Sequence, residues 1–275
     1  MKNLYFFTKK EFFECWRTSR FLILVIIFLI FGLMNPLLAK LTPEIVKMTI
    51  GDAMASTIPK PTSIDSWTQF FKNLTQIGMI VLALMFSGTV NNEINKGTLI
   101  NLVTKGLRRW VIIVGKMISL VFQWSICFLL TFLVTWGYTA YYFPDNKSTQ
   151  LFQAVFPLWI FGLLLLSLVL LSSTIMRNSY EGLLLTGGII VILVLINLFD
   201  KLKYYNPISL VTQNLNFLQG TVDIQKYLPA ILISILFFAL ATLLSIQIFN
   251  NLICQIKLDN MSLSMQLKNT SNGVR

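Results

Sequence analysis

Residues 152–176 read FQAVFPLWIFGLLLLSLVLLSSTIM, a run of 25 residues without a charged side chain. A helix needs about 20 apolar residues to cross the hydrocarbon core of a bilayer. The sequence therefore predicts an all-α integral membrane protein with six transmembrane helices, because five further stretches have a similar character. These are residues 21–39, 74–90, 111–142 (charge-free from 117), 182–199 and 229–249.

The composition agrees with this prediction and excludes most catalytic chemistry. Hydrophobic residues make up 55% of the 275 residues and charged residues 12%, about half of the roughly 25% in soluble domains. Histidine is absent, which excludes Ser-His and Cys-His pairs and histidine zinc sites. Three scattered cysteines are too few for a metal cluster. We expect no catalytic residue and no metal site, with one membrane domain over residues 1–260 and a polar cytoplasmic tail over residues 261–275.

The basic residues between the apolar runs predict the orientation of the chain. With a cytoplasmic N-terminus, the inner segments hold 14 basic and 5 acidic residues, and the outer segments hold 8 and 6. Cytoplasmic loops carry the excess of Lys and Arg, so both termini are expected in the cytoplasm. The spans are expected to lie among the lipids of the plasma membrane. Because the charges do not form a single patch, no nucleic-acid partner is predicted.

The first 20 residues predict an amphipathic lateral helix that lies along the membrane surface. On a helical projection, its charged side chains fall on one side and an uncharged arc falls on the other. This pattern is typical of interfacial helices, although an ordinary basic segment that sets topology is an alternative. The charged side consists of Lys10, Glu11, Glu14 and Arg17, and the arc of Leu4, Tyr5, Thr8, Phe12, Cys15, Trp16 and Ser19.

The loop between the second and third predicted spans is the strongest functional feature. Residues 91–110 read NNEINKGTLINLVTKGLRRW. Gly97-Thr98 is a break followed by a helix cap, and Gly106 ends the short helix that results. The apolar side of this helix is expected to be exposed below the membrane and to dock into a groove of a partner, the alternative being a basic loop that lies on lipid. That side consists of Leu99, Leu102 and Val103.

A short helix at the outer leaflet is predicted before the sixth span. Asn206-Pro207 pairs a cap with a first-position proline, and Gly220 provides a C-terminal stop. A helix of about 12 residues is too short to cross the bilayer. We expect it to gate an exit route or to plug it. The candidate gate residues are Asn206, Pro207, Ile208, Val211, Leu215 and Leu218.

The segment from residue 91 to residue 116 resembles the permease subunits of type-2 ABC exporters. In that family a Glu, a Gly-Thr-aliphatic triplet, a Leu, a Pro or Gly, an Arg and a Gly-Lys pair connect the second span to the third. The lateral first helix, the six spans and the outer helix are also similar to the family. The matching residues are Glu93, Gly97, Thr98, Leu99, Leu102, Gly106 (often Pro in the family), Arg108 or Arg109, and Gly115-Lys116.

The resemblance implies a transmembrane subunit that forms a homodimer or heterodimer and rests on two separate ATP-binding cassette subunits. Residues 91–110 would form the coupling helix, with Lys105 and Lys116 among the coupling residues. ATP and Mg²⁺ are expected in the partner, since this chain has no phosphate-binding loop. Its Gly115-Lys116 pair lacks the glycine five positions earlier and the Ser or Thr that should follow.

The absence of charge in the spans indicates the chemical class of the cargo. Lys116 and Glu181 are expected at cytoplasmic span ends, and no Asp, Glu, Lys or Arg lies further inside. Ion-coupled transporters keep ionisable residues near the middle of the membrane, so a secondary transporter is disfavoured. We expect outward movement of an amphipathic or hydrophobic cargo, such as a peptide, lipid or drug. A cation-extruding ABC permease and a non-transporting sensor, scaffold or immunity-type protein are the alternatives.

Overall fold

The computed structural model describes residues 2–50, 60–104, 106–145, 147–148 and 150–272, and within them the chain forms helices and no strand. Helices α1 to α6 are Lys2–Arg17, Arg20–Ile50, Ser63–Asn73, Met79–Phe86, Asn91–Asn95 and Thr98–Thr104. Helices α7 to α12 are Arg109–Tyr142, Leu151–Ile175, Ser179–Ile196, Ser209–Thr212, Asn214–Leu218 and Leu228–Asn272.

Six helical segments among the described residues are long and apolar enough to cross a membrane, which agrees with the predicted number. The first lies in α2. The second combines α3, the π-helical turn Leu74–Gly78, α4 and α5. The third, fourth and fifth are α7, α8 and α9, and the sixth begins at Ile224 and continues into α12.

Helix α2 continues through Pro36 and so extends well beyond the predicted residues 21–39. Proline has no backbone N–H, so the carbonyl of Gly32 loses its helical donor. The hydroxyl of Thr135 in α7 donates to that carbonyl at 3.2 Å and replaces the missing bond. Asn35 in turn donates to Thr135 Oγ1 at 3.2 Å. The proline therefore creates a polar contact that holds α2 against α7.

Helix α8 is the centre of the bundle, and α9 lies at its edge. In an 18-residue apolar stretch of α8, 78% of the residues are buried, against 11% in α9. The contact between α7 and α8 depends on Gly162, because a Cβ atom there would lie 2.3 Å from the ring of Trp124. Trp124 Nε1 also donates to the carbonyl of Trp159 at 3.2 Å. Close helix packing at a small residue is a common device in membrane proteins.

The substitution Gly162→Ala should lower the free energy of unfolding by about 1–3 kcal/mol, because the new methyl group must push the Trp124 ring aside. The control is Gly137→Ala in α7, where a Cβ atom meets nothing within 4 Å and helix propensity improves. The measurement is the thermal unfolding midpoint in detergent. Equal midpoints for the two variants would show that the close contact at Gly162 is not needed.

Candidate functional site

A lysine side chain is buried near the end of the bundle at which α1 lies. Lys116 is about two turns into α7, and its side chain is 0% exposed. An ammonium group removed from water requires an opposite charge. Lys116 Nζ lies 2.9 Å from Glu11 Oε2 and also contacts Glu93 Oε1. The two ion pairs connect α1, α5 and α7, and the expectation that Lys116 lies at the cytoplasmic end of its span stays a prediction.

The glycine before Lys116 permits this arrangement. A Cβ atom at Gly115 would lie 2.6 Å from Cδ1 of Phe7, so only glycine lets α1 cross α7 at this distance. Phe7 is buried, and so is Glu11, which follows it by about one helical turn. The Gly-Lys pair thus has two physical roles, since the glycine admits α1 and the lysine binds its carboxylate.

The face of α1 that packs on the protein includes a charged residue, contrary to prediction. Glu11 was expected on the solvated charged side, but it is buried because Lys116 neutralises it. Its position between Phe7 and Cys15, at i and i+4 spacing, is the signal that could have identified it. Tyr5 and Trp16 are 64% and 62% exposed, so part of the predicted uncharged arc faces away from the rest of the protein.

Lys10 continues the charged network towards the surface of α1. Its Nζ lies 2.6 Å from Glu14 Oε2 and 3.2 Å from Glu11 Oε1. Burial alone would raise the pKa of the Glu14 carboxyl, but the hydrogen bond and charge of Lys10 outweigh it and lower that pKa. Glu11 is therefore shared between a buried lysine and an exposed one.

A polar cavity of about 160 Å³ lies next to these ion pairs. Its lining includes Glu93, Lys116 and Gln123, together with residues of α1 and of the turn before α5. Glu93 Oε2 and Gln123 Oε1 are buried and have no partner among the described residues. The ion pair therefore has free space on one side, with acceptors available to a group that enters it.

Two glycines in the left-handed conformation bracket helix α6. Gly97 has a φ of +72° and Gly106 a φ of +90°, a region that favours glycine. Thr98 Oγ1, at the start of α6, donates to the carbonyl of Glu93 in α5 at 3.0 Å, across the turn between the two helices. The short helix thus lies where the two glycines indicate it, and its role in coupling stays a prediction. Lys105 lies outside the described residues.

The apolar side of α6 faces into the protein. Leu99 is fully buried, and Leu102 and Val103 are half-buried against the same core. The prediction that this side is exposed is therefore wrong for Leu99, which lies in the core, while Leu102 and Val103 keep part of their surface exposed. Docking of this segment on a partner stays a prediction. The exposed side of the segment is polar or basic. Its exposed residues include Asn95, Lys96, Thr98, Asn101, Thr104 and Arg108.

Arg109 ties the start of α7 to α12. Its Nη1 donates to the carbonyl of Asn250 at 2.8 Å, and its side chain is partly buried. This residue was predicted to act in coupling, and the structure places it in an internal contact between the third and sixth spans.

The predicted outer helix lies at the opposite end of the bundle and is divided into two. Helices α10 and α11 meet at Gln213 instead of forming one helix. Asn206 does not occupy the predicted cap position, because α10 begins only at Ser209 and its N-cap residue is Ile208. Asn206 Oδ1 accepts from the N–H of Ile208 at 3.1 Å in the turn before the helix. Its Nδ2 also donates to the carbonyl of Leu193 in α9 at 2.6 Å. Gly220, with a φ of +68°, follows α11 as expected.

The candidate gate residues are placed mainly against the core. All except Leu215 are buried, and Leu215 is half-buried. Asn214, in the same segment, is also buried, with no partner for its amide among the described residues. A gate or plug role for this segment stays a prediction. The buried set consists of Asn206, Pro207, Ile208, Val211 and Leu218.

The six long apolar helices define a multi-pass helical membrane protein. The chain belongs to the ABC-2 transporter family, since the family model described as "ABC-2 family transporter protein" matches residues 6–251. The resemblance seen in the sequence is thereby confirmed. Members are membrane components of ABC transporters, which are normally non-catalytic and work with ATP-binding cassette partners.

A relative in Bacillus subtilis (strain 168) is also similar to this chain. The uncharacterized transmembrane protein YxlG is 24% identical over 186 residues, which are 65% of this chain and 70% of that protein. Its description as a transmembrane protein agrees with the six apolar helices found here.

The substitution Lys116→Met should destabilise the protein by about 3–5 kcal/mol, because Glu93 loses its cation and the buried Glu11 keeps only its contact with the exposed Lys10. The matched control is Lys203→Met, which removes an ion pair with the exposed carboxylate of Asp200 and should change stability by at most about 1 kcal/mol. Thermal unfolding in detergent compares the two. Similar midpoints would contradict a structural role for the buried ion pairs.

Proposed function

We propose that this chain exports an amphipathic or hydrophobic cargo, such as a peptide, lipid or drug, across the plasma membrane. A separate ATP-binding cassette subunit docks on residues 91–110 from the cytoplasm, where both termini lie, and a second permease chain completes the pathway. The observation that carries the proposal is the contact of Lys116 with Glu11 and Glu93, which joins the docking segment to a membrane span.

The ion pair is suited to transmit a displacement of the loop. Separating Glu93 from Lys116 would leave the partly buried Glu93 carboxylate without its cation, which costs several kcal/mol. A movement of α5 therefore carries α7 with it instead of breaking the contact. Leu99 anchors α6 to the core, so the polar exposed side of α6 is the surface offered to the ATPase. Lys96, Thr98 and Asn101 belong to that surface.

The absence of charge within the spans supports an apolar or amphipathic cargo. The stretches 117–142, 152–176 and 229–249 contain no Asp, Glu, Lys or Arg, and Lys116 is already neutralised by two carboxylates. A small cation that leaves water would need such groups along its path. The chemistry therefore favours the apolar cargo over the cation-extruding alternative.

The direct test is reconstitution of this chain with its ATP-binding cassette partner in inside-out vesicles. Three probes are compared for ATP-dependent accumulation: a fluorescent phospholipid, an amphipathic cationic dye and radioactive Na⁺. We expect accumulation of the lipid or the dye and none of Na⁺. Accumulation of Na⁺ alone would support the cation-extruding alternative, and an ATPase that binds without any transport would support a sensor or scaffold.

The substitution Glu93→Gln should reduce the amount of probe transported per ATP by about tenfold, which corresponds to about 1.4 kcal/mol. The amide keeps a polar group next to Lys116 but removes the charge that holds it. Binding of the ATPase should be unchanged, because Glu93 is not part of the exposed side of α6.

The matched control is Glu181→Gln, which neutralises an exposed carboxylate at the start of α9. Transport and ATP hydrolysis are measured in the same proteoliposomes. An unchanged ratio of the two in Glu93→Gln would contradict the coupling role of the ion pair.

A further inference from the structure

A second group of contacts connects the docking segment to the fourth and fifth spans, apart from the Lys116 ion pairs. Helix α5 begins directly after a turn, and the first N–H groups of a helix need acceptors from outside it. The N–H groups of Val90 and Asn91 both lie close to Ser173 Oγ in α8, at 3.0 and 3.3 Å. Another span thus supplies the cap that a neighbouring side chain usually provides.

No nearby side chain substitutes for Ser173 in this cap. Asn91 is buried, and neither atom of its amide has a partner among the described residues. Ser173 itself is fully buried. Its hydroxyl oxygen is therefore the acceptor that fixes the start of α5.

Two more hydrogen bonds hold α5 along the junction between α8 and α9. Asn95 Nδ2 donates to the carbonyl of Arg177 at 2.9 Å, and Ser179 Oγ donates to Asn92 Oδ1 at 3.2 Å. Gly88 leaves the room for the second contact. A Cβ atom there would lie 2.1 Å from Asn92 Nδ2 and 2.8 Å from Ser179 Oγ.

The two spans at this junction differ in how firmly they are held. Helix α8 is largely buried and α9 is mostly outside the core. Thr186 Oγ1 of α9 donates to Ser172 Oγ of α8 at 2.9 Å, next to the Ser173 cap. A span with so little buried surface can move while few contacts are broken, and its first residues are attached to α5.

We propose that Ser173 is a positioning residue that makes α5 and the start of α9 move together. Displacement of the docking segment by the ATPase then reaches the fifth span through this junction, as well as the third span through Lys116. The inference rests on the proposed function, since it assumes that the ATPase moves residues 91–104. The inference adds the fifth span to the third as a part of the protein that this motion reaches.

The experiment measures distances by pulsed electron paramagnetic resonance in the complex with the ATPase. One nitroxide pair, Leu184→Cys with Leu129→Cys, reports α9 against α7, and a second, Asn101→Cys with Leu129→Cys, reports the loop. All three sites are exposed. Cys15 and Cys254 are replaced by serine, and labelled chain is diluted with unlabelled chain. Each pair is compared without nucleotide and with ATP plus vanadate.

In the otherwise unaltered chain, we expect a nucleotide-dependent distance change at both pairs. Ser173→Ala should keep the change at the loop pair and at least halve the change at the α9 pair. Ser173→Thr, which keeps the hydroxyl, should restore it. The matched control is Ser167→Ala, because Ser167 is equally buried in α8 but donates to the Leu164 carbonyl of its own helix at 2.7 Å.

A full α9 response in Ser173→Ala would overturn the inference while leaving the proposed function intact. If neither pair responds in the unaltered chain, the proposed function fails, and the inference fails with it. Gly88→Ala serves as an independent variant if Ser173→Ala does not fold, since it displaces Asn92 from Ser179. A full α9 response in that variant would likewise count against the junction.

Discussion

The ammonium group of Lys116 has been removed from water, and the end of the bundle at which α1 lies is arranged around its neutralisation. Two carboxylates contact it, one from α1 and one from α5. Glu11 can reach the lysine only because Gly115 lets Phe7 approach α7. The N-terminal helix, which is not among the six candidate spans, is thereby fixed to one of them. One electrostatic requirement thus determines the place of α1, of α5 and of the start of α7.

The six spans could be predicted because the thickness of a bilayer acts directly on length and composition. A charge-free run of the right length is therefore identified as a span from the sequence alone. The course of α2 beyond residue 39 could not be predicted, since a proline within a helix ordinarily weakens it. The compensating donor is Thr135, a hundred positions later in the chain. A local pattern contains no information about such a partner.

The candidate site was predictable to the extent that its residues belong to a motif. Glu93 and Lys116 both lie in the segment that resembles the family, but no spacing rule indicated that Lys116 pairs with Glu93 and with Glu11. The pattern around Leu99 predicted an apolar helix side correctly, but it did not indicate that Leu99 itself is buried in the protein's own core. Ser173 carried no signal at all, since a serine in an apolar run resembles any polar contact between helices.

The length of α9 has a consequence for the lipids around the protein. Its 18 residues extend about 27 Å, whereas the 34 residues of α7 extend about 51 Å. A hydrocarbon layer of about 30 Å is slightly thicker than α9 is long, and a short span is matched where the bilayer thins locally, where flanking side chains reach the interface or where another helix packs beside it. Among the six candidate spans, α9 has the smallest share of residues buried within this chain, so the mismatch has to be met outside the chain, by lipid or by a partner helix. Membranes with longer acyl chains increase this mismatch most at the fifth span.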